Sequence, residues 1–363
     1  MPRTLRSHTL SFWGAVFHLV YAPSALWLVA GLVPVTFFAV GPRAKWVAIG
    51  LVMGLLAYFK VSGGWVNVAG SGATQLTGGA LVPLGFSFLS LELVHYSVER
   101  SRGRIREASL VDLAAFALFF PCRIAGPIKR YAEFTASVAR AELLPEHVYH
   151  GCLRILMGLL KKVAADYLGR AAVSPLAAAR PLDAWESMLA YSLQIFLDFS
   201  AYSDIAIGIS RLMGITVPEN FRSPYLSANI QEFWTRWHMS LSSWVREYVF
   251  LSFGRVLFKT RLKRHSGVIA AASYLAAFLF VGAWHGLTPN YLVWGAYHGV
   301  LLAAYHLYKT SIPLSLATSP RYQSRLVSWS GTALTFLAVM IGWVFFRMDL
   351  PDGTRLLRLM FHV

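Results

Sequence analysis

His285 is the residue in this sequence best suited to chemistry. It stands in the word GAWHG at the end of a long apolar run. Gly282 and Gly286 beside it leave room for a ligand or another backbone to approach. An imidazole changes charge near neutral pH, so at such a place it can take a proton from a hydroxyl. On position alone the reading leans to a satisfied structural histidine. His238, in the word RWH, is the second candidate, with Glu232 and Arg236 one helical face away. His298, in WGAYHG, can line the same cavity as His285 but reads more readily as structural. His18, His95 and His306 read as interfacial or bundle histidines. The chain has no GxSxG elbow and no HExxH word. His238, His285 and His298 lack helical i, i+4 spacing and a cysteine cluster, so no metal site is expected. The two cysteines, Cys122 and Cys152, fall in or beside apolar segments. They read as buried thiols with no disulfide framework.

A second concentration of chemistry runs from Gln194 to Tyr248. Asp198, Asp204, Glu219, Asn220, Arg222, Glu232, Arg236, His238, Arg246 and Glu247 crowd there, interleaved with Trp234, Trp237 and Trp244. At membrane depth such charges are costly and persist only in a bundle interior or a wet cavity. The other reading is an amphipathic helix lying on the surface, with its tryptophans at the headgroups. Ser200 and Asp204, four residues apart, share a helical face. As a pair, Asp198 and Asp204 also suit a proton relay in a transporter.

The elements that must position these residues are apolar helices. The first run, about Leu10 to Val40, is too long for one span, and Pro23 breaks it into two helices or one kinked one. Trp46 to Phe59 follows, then an irregular loop marked by Gly63, Gly64, Gly70, Gly72, Gly78 and Gly79. Ala80 to Tyr96 and Leu110 to Cys122 come next. Phe119 to Tyr131 contains a Gly-Pro that no regular helix continues through, and reads as re-entrant. Were it a plain interfacial turn, Lys129 and Arg130 would anchor it among headgroups. His150 to Val173 carries Lys161 and Lys162. Trp185 to Met213 is a long segment whose run Pro218 ends. Ser227 to Arg246 reads as one amphipathic helix capped at Ser227, with Glu232 nearby. Ser266 to Gly286, Tyr291 to Tyr308 and Val327 to Phe346 complete about 9 to 11 membrane segments.

Composition agrees. Of 363 residues, 56% are hydrophobic and 14% charged, against about 25% charged in soluble domains. The chain is therefore read as an all-α polytopic membrane protein of one domain, 1–363, with the lipid bilayer as its first partner. The N-terminal apolar run after Arg3 and Arg6 lacks a convincing cleavage site and reads as a retained first helix. The formal net charge of +16 sits in short loops, as the positive-inside rule expects, so nucleic acid is not a partner. The Arg100–Arg106 and Arg255–Arg264 clusters read as cytoplasmic loops near anionic lipid. One of them can also attract a phosphate-bearing donor or an acidic carrier.

The chain resembles the membrane-bound O-acyltransferase family, and within it the bacterial branch of alginate O-acetylation and teichoic-acid D-alanylation proteins. The words that carry the resemblance are QIFLDFSAYSD (Gln194–Asp204), ENFRSPY (Glu219–Tyr225), FWTRWHMSLSSW (Phe233–Trp244) and Arg246-Glu247-Tyr248. PLGFSF from Pro83, AGPIKRY from Ala125, GLLKKV from Gly158, WHG at His285 and GWVFFR from Gly342 follow the same order. The recognisable core is about 57–347. The resemblance implies a helical bundle with re-entrant segments and a central tunnel. It implies an enzyme moving an acyl group from a thioester to a hydroxyl, feeding O-acetylation or similar modification of a cell-envelope polysaccharide or other polymer. His285 matches the family's acyl-transfer histidine, and His238 falls at a functional polar position. Asp198, Tyr202, Ser203, Asp204, Asn220, Arg236, Trp237 and His298 are implied substrate-side residues. For Asp198 and Asp204, buried structural support and direct substrate contact both stay open. No cofactor is bound permanently; the donor is an acyl-coenzyme A or acyl-carrier-protein thioester. The expected setting is a bacterial cytoplasmic (inner) membrane, with a separate extracytoplasmic esterase-like partner, because the chain carries no such domain. Ala201 stands where the family has glycine, Arg123 precedes AGPI, and the chain ends soon after GWVFFR. A proton-coupled transporter or flippase, and a non-catalytic scaffold, are the readings from other classes.

Overall fold

The computed structural model describes residues 3–62, 83–171, 178, 180–313, 315, 319–320 and 324–362. The glycine-rich loop expected at 63–79 lies outside them. Among the described residues every regular element is helical. The chain folds as two compact units, Met1–Val163 with Asp198–Glu219, and Ala164–Leu197 with Asn220–Val363.

The first unit holds α1 (Arg3–Tyr21), α2 (Pro23–Phe38), α3 (Ala44–Ser62), α4 (Phe86–Ser101), α5 (Leu110–Ala117), α6 (Tyr131–Ala139) and most of α7 (Pro145–Ala171). It also takes the C-terminal part of α8 (Pro181–Leu212). Pro23 sits at the first turn of α2, where its missing N–H costs nothing, so the long apolar run divides into two helices. Between α5 and α6 the chain makes a short 3₁₀ turn at Phe120–Cys122 and then runs irregularly. This segment is packed in protein: Arg123 is buried and donates to the carbonyl of Ala117 at 3.2 Å. Lys129 is not a headgroup anchor. It is buried, and its Nζ donates to Glu92 Oε1 at 2.6 Å. Within this unit, Gly151 and Gly158 of α7 meet the backbone carbonyls of Gly208 and Ala201 of α8, and the side chains of Leu212 and Ile205 fill the space that a Cβ at either glycine would take. The α8 helix stops at Leu212, before Pro218, because Gly214 takes a left-handed conformation (φ +70°) against the backbone of Glu142.

The second unit holds the start of α8, then α9 (Ile230–Arg236), α10 (Met239–Val245), α11 (Leu251–Leu257), α12 (Ser266–His285), α13 (Pro289–Ser311), α14 (Arg325–Arg347) and α15 (Leu350–Phe361). A π turn, Arg246–Phe250, joins α10 to α11. The single amphipathic helix expected over Ser227–Arg246 is two short helices. Its cap is Asn229, whose Oδ1 accepts from the amide of Glu232 at 2.9 Å, while Glu232 accepts from the amide of Ala228. Trp234, Trp237 and Trp244 are all buried, which overturns the surface-helix reading. The sequence reading missed α15. It is amphipathic, buries Leu356 and Met360, and accepts a hydrogen bond from Trp185 Nε1 at the Met360 carbonyl (2.9 Å).

By length and composition, α3, α12 and α14 can each cross a membrane, and α2 is a shorter apolar helix. Of the cysteines, Cys122 is buried but Cys152 is exposed, with Leu153 and Leu156 exposed beside it on α7. An apolar segment in a membrane protein is not always a protein interior, and there the burial reading fails.

Candidate active site

His238 is held at the break between α9 and α10. Its backbone is left-handed (φ 44°, ψ 53°), a conformation that a residue with a side chain adopts only when its surroundings require it. Asn220 supplies that requirement. Its carbonyl accepts from the amide of Met239 at 2.9 Å. Its Oδ1 accepts from the Ser240 hydroxyl at 2.6 Å and lies 3.3 Å from His238 Nδ1. The amide of Arg222 donates to the Arg236 carbonyl at 3.0 Å, so the ENFRSPY and RWH words are bonded together. Arg236 pairs with Glu232 one turn back. Trp237 is buried among Phe196, Phe221, Tyr225, Phe233 and Trp343, and Tyr225 donates to the Ser192 carbonyl at 2.6 Å.

His285 ends α12. Gly282, one turn earlier, is filled by the backbone of α13 at Tyr291 and Gly295, so its missing side chain serves helix contact rather than ligand approach. Around the His285 ring stand Trp284, Tyr291, Trp294 and Phe346, at centroid distances of 4.8, 6.2, 5.5 and 5.0 Å. The residue is half-buried, whereas His238 and His298 are buried. His298 also stands against Trp294, at 5.1 Å, and faces Trp234 at 5.0 Å. Trp234 and Phe278 in turn line a cavity of about 330 Å³ with Gln231, Met239, Arg246 and Tyr274. Sequence reasoning singled out the histidines but not Trp294, the ring that both His285 and His298 stand against. A tryptophan among apolar residues carried no signal of its own.

In the first unit Asp204 is buried and bonded by two cations of α7, Arg154 Nε and Lys161 Nζ, each at 2.6 Å. Arg154 also bonds Glu219. Asp198 pairs with Lys162 at 2.7 Å, but its side chain is 45% exposed, so the expectation of a buried anchor fails for Asp198 and fits only Asp204. Ser203 is buried, and the Tyr202 hydroxyl lies 3.5 Å from the Pro121 carbonyl. Arg154 was missed. Its signal was spacing: Arg154 and Lys161 are seven apart on one apolar helix and so share a face that needs carboxylates.

The implied substrate-side residues and the two implied catalytic histidines, His238 and His285, thus fall into two sets. Asp198, Tyr202, Ser203 and Asp204 belong to the first unit; Asn220, Arg236, Trp237, His238, His285 and His298 belong to the second. Among the described residues no three His, Cys, Asp or Glu side chains gather as metal ligands would.

Residues 44–346 match the model of the MBOAT, membrane-bound O-acyltransferase family. The chain belongs to that family. It is 35% identical over 320 residues to a probable alginate O-acetylase of Pseudomonas syringae, covering 85% of this chain and 58% of that protein. It is 36% identical to the teichoic acid D-alanyltransferase of Bacillus subtilis over 62% of this chain and 59% of the relative. It is 30% identical to the peptidoglycan O-acetyltransferase of Helicobacter pylori over 84% of this chain and 62% of the relative. The match therefore spans only about 58–62% of the length of these relatives.

Proposed function

We propose that the chain is a membrane O-acyltransferase that feeds acylation of a cell-envelope polymer. The observation that carries this reading is His285, the half-buried histidine of a family-matching chain, held at a helix end by an aromatic wall. In the mechanism, His285 takes the proton of an acceptor hydroxyl as the oxygen attacks the carbonyl of a thioester. The tetrahedral oxyanion is met by nearby donors, with His238 as a positioning or polarising group. Collapse expels the thiolate, and the imidazolium of His285 returns the proton to it, so the enzyme ends as it began.

The donor is an acyl thioester of coenzyme A or of a carrier protein, and the cavity of about 330 Å³ beside Trp234 is the candidate place for its arm. The relatives act on alginate, teichoic acid or peptidoglycan by their names; a polymer of that kind, reached through an extracytoplasmic partner, is the acceptor we infer. We read the molecule as one polytopic domain of a bacterial inner membrane, with a tunnel for the two substrates and Phe119 to Tyr131 as a re-entrant segment. The transporter reading uses the aspartates and histidines as proton sites, and of these Asp198 and Asp204 are both engaged by cations of α7.

The test is transfer by the purified chain in lipid nanodiscs. Radiolabelled acetyl-coenzyme A and an acetylated carrier protein are offered separately, with a soluble glycan acceptor and its extracytoplasmic partner where one is encoded nearby. Label in the glycan from either donor supports the reading. A well-folded preparation that consumes neither thioester while moving protons across the membrane would replace it with the transporter.

A further inference from the structure

The cavity beside Trp234 is apolar where it is buried and polar where it is open. Trp234, Leu241, Val245, Phe278 and Leu302 line it and are buried. Thr235, Ser243 and Arg246 line it and are exposed, so they mark its open side. Among the described residues Arg246 is the one cation on this wall, and the wall carries no carboxylate. Its guanidinium is thus a positive charge at the rim of an apolar space.

A second observation concerns the hydroxyls on the same wall. Those of Thr235, Ser242 and Ser243 each donate to a backbone carbonyl, of Glu232 at 2.7 Å, Trp237 at 3.1 Å and Ser240 at 2.9 Å. Their hydrogens are spent, and what they offer a ligand is oxygen lone pairs, which accept from N–H groups. At the buried side the Trp234 ring lies 5.8 Å from Trp294, the ring that His285 stands against at 5.5 Å. A ligand suited to this wall has an anion at one end, amide N–H groups along its length and an apolar stem. A plain hydrocarbon chain would leave both the cation and the hydroxyl acceptors unused.

We propose that Arg246 binds the phosphate of the donor's phosphopantetheine arm, with the thioester end directed toward Trp234. The proposal rests on the acyl-transfer reading and adds to it the residue that recognises the donor. A phosphopantetheine arm carries its phosphate, amides and thioester in that order, and the planar guanidinium fork suits phosphate oxygens. Coenzyme A and a carrier protein both present this arm. Transfer by the full chain in nanodiscs is compared with S-acetyl phosphopantetheine and with S-acetyl pantetheine, which lacks the phosphate. Low ionic strength is used, because salt screens an exposed charge pair.

The wild type should use the phosphorylated donor with a kcat/KM about tenfold higher, expressed in KM, as a charged hydrogen bond provides. Arg246→Gln should erase that preference, and Arg246→Lys, which keeps the charge without the fork, should keep part of it. A merely structural role would lower transfer from both donors alike and leave their ratio unchanged. The same loss in Arg246→Gln with acetyl-coenzyme A, or with an acetylated carrier protein, supports the site and names the source of the arm. Equal use of the two small donors by the wild type overturns the proposal without any variant, and so does a preference that survives Arg246→Gln. In both cases the acyl-transfer reading stands. Transfer from no donor overturns that reading, and the proposal with it.

Discussion

His238 depends on Asn220, a residue 18 positions earlier in the chain. One amide side chain accepts from Ser240, faces the imidazole, and through its backbone caps the start of α10. Removing it leaves buried donors without an acceptor, a loss of about 1–3 kcal/mol. Asn220→Ala should therefore lower the thermal midpoint and cut acyl transfer together, while Asn220→Asp, which keeps the acceptor oxygen, should recover part of both. Equal damage from the two variants would mean that packing, not the hydrogen bond, sets His238. The acidic residues of the first unit separate by burial. Asp204 is buried between two cations, so Asp204→Asn strips a buried network and should lower folded yield strongly, by about 3–5 kcal/mol. Asp198 pairs with Lys162 near solvent or headgroups, and Asp198→Asn should cost no more than about 1 kcal/mol. Fluorescence-detected size exclusion after heating reads both, and the reverse order would contradict the burial argument.

At the scale of elements, the position of His285 depends on how closely α12 approaches α13. Gly282 and Gly295 interlock, each filled by the other helix's backbone, so any side chain there forces the helices apart. Gly282→Ala should destabilise by about 1–3 kcal/mol and cut transfer by moving the end of α12. Gly54, in the middle of α3, meets no neighbour within 4 Å, so Gly54→Ala should be neutral or gain about 1 kcal/mol from helix propensity. Melting curves of the two variants check this, and equal behaviour would show that the α12–α13 contact is not tight. The same elements show what the sequence could carry. Pro23 marked the division of the first apolar run, and α3, α12, α13 and α14 lie close to their expected bounds, because length and apolar content decide them. The break at His238 was not legible. Helical periodicity runs through FWTRWHMSLSSW, and the left-handed turn is held by Asn220, a residue outside that word.

At the scale of the whole molecule, polar residues in an apolar chain marked the candidate site, but not how they group. Charge in a spanning helix signals a need for a partner without naming it. Only the packing of α7 on α8 pairs Arg154 and Lys161 with Asp204. The arginine clusters carry a topological expectation: cysteines placed at 103 and 260 in a Cys152→Ser background should resist a membrane-impermeant maleimide in intact cells. Cys152 must go because it is exposed. Labelling of either loop from outside would invert the orientation. The central claim, general-base catalysis by His285, is tested most directly by single-turnover transfer from a thioester donor with His285→Ala and His285→Gln in purified, folded protein. Both should fall at least about a hundredfold, roughly 2.7 kcal/mol in the barrier, with membrane insertion and melting close to wild type, and His298→Ala should fall less. If His285→Ala kept more than about a tenth of the wild-type rate, His285 would not be the base.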